Sequence, residues 1–180
     1  MENQPCDRTE NLRFVSFHGI SLTSRVIRIL TRAKQSHVAY MPPGDNLQLI
    51  EAWNHNGGYR NFWSYSDLHI NHTDGTRYVV WELPVTQAEF DFCDEFYREL
   101  ADERVGYDWP GVFSFRIPKL KPNRDGYFCS DGLINPIVEC RRLTAINPKH
   151  VSPKFFVQLV QAMGGRKIIY GAVNADPFFL

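Results

Sequence analysis

The stretch Ser36-His37-Val38-Ala39-Tyr40-Met41-Pro42-Pro43-Gly44-Asp45-Asn46-Leu47-Gln48-Leu49-Ile50-Glu51-Ala52-Trp53 decides how the rest of the chain is read. Two apolar runs flank Pro-Pro-Gly-Asp-Asn, the signature of a β-hairpin with a five-residue loop. If Met41 and Leu47 close that loop, Ala39 faces Leu49 and His37 faces Glu51. Directly opposed residues of an antiparallel pair share a face, with Cβ atoms about 4.5–5.5 Å apart. The rest of that face is Ala39, Met41, Leu47, Leu49 and Trp53, so an imidazole and a carboxylate stand at one end of an apolar strip. That is costly unless the two partner each other. Glu51 would then fix the tautomer of His37 and leave its other nitrogen free to act as a base.

Upstream of the hairpin, residues 12–17 alternate as a strand that ends at His18-Gly19. Ser21 opens a helix to about residue 33, with Leu22, Val26, Ile27, Ile29 and Leu30 expected on its buried side and Arg25, Arg28 and Arg32 toward solvent. Downstream, 54–75 is rich in Asn, Gly, His, Ser and Asp, which predicts a long ordered loop. Its aromatics, Tyr59, Phe62, Trp63 and Tyr65, together with Trp53, are candidates for one wall of an apolar groove. A strand over 77–83 leads to Thr86-Gln87-Ala88-Glu89, a capping box, and a helix over 87–103 with Phe90, Cys93, Phe96, Tyr97 and Leu100 as its buried stripe. After Gly106-Tyr107-Asp108-Trp109-Pro110-Gly111 and a charged loop, a short helix follows Cys129 and is expected to stop near Asn135-Pro136. A last helix runs from Ser152-Pro153 to Gly164-Gly165. This order predicts one α+β domain over 1–180, an antiparallel sheet packed against helices.

The 180 residues are 43% hydrophobic and 14% aromatic, enough for a core without metal or disulfide staples. Twenty basic and twenty acidic residues cancel, so net charge gives no argument for nucleic acid or an anionic membrane. No apolar run approaches the roughly 18 residues of a membrane span, and no signal peptide is visible. Four cysteines, Cys6, Cys93, Cys129 and Cys140, are too scattered for a disulfide framework or a zinc site, which points to the reducing cytoplasm. His55, His69 and His72 fit no ligand spacing and read as solvated loop histidines, so no metal or other cofactor is expected. Cys93 reads as core, while Cys6 and Cys140 have no assigned role, a bridge between them being the disfavoured alternative.

Cys129 is the candidate nucleophile. An aromatic approach, Tyr127-Phe128, gives way there to Ser130-Asp131, residue types favoured at helix starts. A thiol at a helix N-terminus is biased toward the thiolate, further so beside an imidazolium, and the same amides suit an oxyanion.

The pattern Ser24, Ile27-Arg28, Thr31, Ser36-His37-Val38, then Leu49-Ile50-Glu51-Ala52, Gly106-Tyr107-Asp108 and Tyr127-Phe128-Cys129-Ser130-Asp131 resembles the circularly permuted branch of the NlpC/P60 cysteine peptidase superfamily, closest to the YiiX/YaeF-like proteins. The likeness spans about residues 12–140. It implies a papain-like fold with Cys129 as nucleophile, His37 as base and Glu51 as the group that orients it. Tyr127, Tyr107, Asp108 and Trp53 are the candidate substrate contacts. Amide or ester hydrolysis is the implied activity, on a cell-wall-type peptide or an acyl lipid, and the alternative is a non-catalytic binding module that keeps the fold. A chain with this likeness and no export signal also admits delivery by a phage or another route. Two positions differ from the family: Arg13-Phe14-Val15 replaces its opening Gly-Asp, and Asp131-Gly132 replaces a glutamate followed by an apolar residue, which predicts a weak nucleophile helix.

Overall fold

The longest ladder in the molecule joins the first strand, β1 (Thr9–His18), to β5 (Arg77–Thr86), antiparallel from Thr9 opposite Thr86 to His18 opposite Arg77. The computed structural model describes residues 9–44, 47–54, 61–117, 119–123, 125–140, 143, 145–175 and 178–179. Around that ladder the sheet adds β2 (His37–Met41), β3 (Gln48–Asn54) and β4 (Asn61–Asp67) on one side. On the other it adds β6 (Arg166–Ala172) and β7 (Phe178–Phe179). The order is β4-β3-β2-β1-β5-β6-β7, with every pairing antiparallel. Among the described residues five α-helices complete the α+β fold: α1 (Leu22–Thr31), α2 (Gln87–Asp102), α3 (Trp109–Ser114), α4 (Cys129–Glu139) and α5 (Pro153–Ala162).

Strand periodicity divides the core. On one face Leu12, Phe14, Val38, Tyr40, Trp81 and Leu83 pack against Tyr97 of α2, Leu133 and Ile137 of α4, and Phe156 of α5. On the other face Val15, Phe17, Ala39, Leu49, Tyr78 and Val80 form a second cluster under Leu68. α2 starts on the expected capping box, with Thr86 and Glu89 exchanging side-chain and backbone hydrogen bonds.

Several elements differ from the sequence expectations. Residues 61–67, expected as loop, form edge strand β4, because the ladder to β3 and the buried Trp63 override a polar composition. His55 and Tyr59 of the same stretch lie outside the described residues. β5 runs past Pro84 to Thr86, and Pro84 lies beyond the end of the β6 ladder, where a proline costs least. The strands β6 and β7 and the short α3, capped by Asp108, carry no strong sequence signal. Finally, α1 does not bury its whole apolar side. Ile27 is buried, but Leu22 is 79%, Ile29 69% and Val26 38% exposed.

α4 also outlasts its proline and continues to Glu139. Residue i−4 from Pro136 is Gly132, and most of α4 is buried between the sheet and α2, so packing holds a helix that propensity alone would end. Gly132 is there for closeness: a Cβ on it would stand 2.4 Å from Cζ2 of Trp63, a fully buried ring whose Nε1 donates to the Tyr127 carbonyl at 3.1 Å. Gly132→Val should therefore destabilise the fold by about 2–3 kcal/mol, typical of overpacking against a ring that cannot move. Thermal unfolding checks this, and an unchanged midpoint would show that the contact is slack.

Candidate active site

In the β2–β3 pairing, Tyr40 stands opposite Ile50. Ala39 therefore faces Glu51, and the expected register, with His37 directly across from Glu51, is two residues off. A two-residue slip keeps every side chain on its face, and diagonal neighbours stay within reach of long side chains. His37 Nε2 accordingly meets Glu51 Oε2 at 2.6 Å.

Glu51 has no exposed surface. Its second oxygen, Oε1, accepts from Ser66 Oγ on β4 and from His72 Nε2 at 3.1 Å. Burial alone would raise this carboxyl, but His72 and the hydrogen bonds from both histidines outweigh it and hold Glu51 well below the usual carboxylate range. His72, expected in a solvated loop, is 6% exposed and stacks on Phe17, with centroids 4.0 Å apart and planes at 13°. Sequence missed it because its place depends on β4, whose end turns residues 68–76 back over the sheet.

Cys129 is the first residue of α4, and the preceding N-cap, Phe128, supplies no side-chain hydrogen bond to the first turn. The orphan amides there point outward from a helix start. Since α4 packs against β2, Cys129 reaches His37. With Nε2 on Glu51, Nδ1 is the ring nitrogen left for the sulfur. Burial works against a charged His37, yet the neighbouring Cys129 and the hydrogen bonds to Cys129 and Glu51 push the imidazole up to about 10. Cys129 itself is 1% exposed.

Of the candidate substrate contacts, Tyr107 reaches the centre: burial first, then Cys129 and Asp131, raise its phenol far above 10, and it hydrogen-bonds the Cys129 sulfur. The Tyr127 ring packs on Phe96 and lies under Lys149 Nζ at 4.7 Å. Asp108 is fully buried, and its Oδ1 accepts from the amides of Gly111 at 2.8 Å and Asn123 at 2.9 Å. Trp53 belongs to β3, but its side chain lies outside what the structure describes. A cleft of about 170 Å³ opens over the histidines, lined by Phe17, Ser36, His37, His72, Tyr107 and Trp109 among others.

One group near the centre was not anticipated. Asp131, fully buried, pairs with Lys149 Nζ at 2.8 Å, and the same ammonium lies 3.4 Å from Asp108. Burial raises the Asp131 carboxyl to about 7, against the pull of Lys149 and with the push of Asp108. This cluster ties α4 to the segment before α5. Among the described residues no group of three or more His, Cys, Asp or Glu side chains is arranged to hold a metal ion. Cys93 is buried, which pushes its thiol up, and it lies beside Cys140, whereas Cys6 is outside the described residues.

No protein-family model and no curated protein matches the chain.

Two measurements follow from these charges. His37 should titrate near pH 10 by NMR, and Cys129→Ala should bring it down toward the ordinary imidazole range. In the wild type the stability contributed by His37 is complete below about pH 6.5 and is lost as pH rises through 10. Glu51 behaves oppositely: its lowered value contributes stability above the unfolded carboxyl range that is lost as pH falls. His72→Phe keeps the stack on Phe17 but removes a partner of Glu51, so acid unfolding followed by circular dichroism should move to higher pH.

Proposed function

We propose that the chain is a cysteine hydrolase of the permuted NlpC/P60 type, with a papain-like arrangement of Cys129, His37 and Glu51. The observation that carries this reading is the convergence of those three residues from α4, β2 and β3, with Glu51 on Nε2 of His37 and Cys129 beside the ring. His37 Nδ1 takes the Cys129 proton, and the sulfur attacks an amide or ester carbonyl. The tetrahedral oxyanion is held by first-turn amides of α4 and by the Tyr107 hydroxyl, which its surroundings keep protonated. His37 returns the proton to the leaving amine or alcohol, and water, deprotonated by His37, cleaves the thioester. His72 and Ser66 hold Glu51 in place while the imidazole changes charge.

The substrate is an acyl compound, either a cell-wall-type peptide or an acyl lipid. A reducing, cytoplasmic setting suits a free thiol nucleophile, and phage delivery is compatible with it.

Iodoacetamide followed by peptide mass spectrometry tests the reading. Cys129 should be alkylated at least about tenfold faster than Cys93 or Cys140, and His37→Ala should erase the difference. An acyl probe should leave a thioester on Cys129. Equal, slow labelling of all the cysteines would instead favour a binding module that retains the fold.

A further inference from the structure

α1 is amphipathic in an unusual sense: its second face is apolar and bare. Leu22, Val26 and Ile29, at i, i+4 and i+7, form one stripe on the helix surface. They are 79%, 38% and 69% exposed. Arg116 Nη2 donates to the Ile29 carbonyl at 2.9 Å, joining α1 to the segment after α3, where Ile117 and Leu120 are 49% and 39% exposed. Ile20, 47% exposed, extends the patch to the rim of the catalytic cleft, which Ser21, Ser24 and Ile27 also line.

The two segments that carry this patch hold charge of one sign. Arg25, Arg32, Lys34, Arg116, Lys119 and Lys121 are all exposed, and neither 19–44 nor 109–123 contains an aspartate or glutamate. These two segments hold seven of the chain's twenty Lys and Arg and none of its twenty Asp and Glu. An exposed aliphatic stripe gains nothing from a nucleic acid, and a zwitterionic surface gains nothing from the cations. A surface with acyl chains beneath anionic headgroups satisfies both.

We propose that α1 together with Arg116, Ile117, Lys119, Leu120 and Lys121 forms a docking surface for an anionic lipid bilayer, with Leu22, Ile29, Ile117 and Leu120 entering the headgroup boundary. The mouth of the cleft then faces the lipid. This is a binding surface, independent of turnover at Cys129.

The test uses the full chain as Cys129→Ala, so that binding is read without chemistry. Co-sedimentation with phosphatidylcholine vesicles containing phosphatidylglycerol should exceed that with phosphatidylcholine alone by at least about tenfold and should weaken with salt. Leu22→Asp with Ile29→Asp should abolish it. Lys119→Glu with Lys121→Glu should lower it by at least about tenfold while circular dichroism stays unchanged. Binding equal on both vesicle types, absent from both, or unaffected by the substitutions would overturn the proposal. So would a concentration-dependent dimer that the Leu22/Ile29 variant abolishes without any vesicle binding, since the stripe would then belong to a second copy of the chain.

Discussion

A carboxylate with no exposed surface must be neutralised by groups that cannot drift away, and Glu51 imposes that constraint on three elements at once. Taking a carboxylate out of water costs several kcal/mol, and stranding it by loss of a partner costs about 3–5 kcal/mol. Its partners are distributed accordingly: His37 from β2, Ser66 from β4 and His72 from the turn beyond, the last locked by its stack on Phe17 of β1. The groups that solvate Glu51 are thus also the ones that fix the sheet edge around the cleft. Because Glu51 occupies Nε2, the ring of His37 has one orientation and offers one nitrogen to α4.

The other half of the site depends on distance. α4 approaches the sheet closely enough for Cys129 to meet His37 only because Gly132 leaves room for Trp63, and Trp63 is itself fixed by its Nε1 bond to the Tyr127 carbonyl and its backbone bond to Val105. Asp131 and Lys149 hold the same end of the helix from the other side. A carboxylate in the first turn is favourable to the helix dipole, and its ammonium partner sits where it also steadies Asp108 and hence the cap of α3. The pair Asp131-Gly132, which reads in sequence as a weakness of the helix, is in space what seats it.

Much of this was legible in the chain, and the limits have a common cause. His37 and Glu51 could be paired from the hairpin because strand parity survives a register error of two, whereas the exact partner of each residue does not. Cys129 could be placed at a helix start because aromatic-to-Ser-Asp transitions are local. His72, Ser66 and Lys149 could not, since each reaches its partner only through tertiary contacts: β4 pairing in the first two cases, and in the third the path from α4 toward α5. Pro136 misled for the same reason, a local penalty outweighed by burial on both sides.

Charge shows the same limit from another angle. Equal numbers of acids and bases argue against a long-range attraction to any polyanion, and that inference holds at distances beyond a Debye length, about 8–10 Å at ordinary ionic strength. Within that length only the local distribution counts, and folding sorts the charges. Glu51, Asp108 and Asp131 are buried and compensated at the centre, while Arg25, Arg32, Lys119 and Lys121 remain in water beside an uncovered aliphatic stripe. Segments 19–44 and 109–123 carry no acid, while Asp91, Glu95, Glu99, Asp102 and Glu103 stay exposed on and just after α2, so one face is cationic in a molecule whose sum is zero, and that face adjoins the opening over His37 and His72.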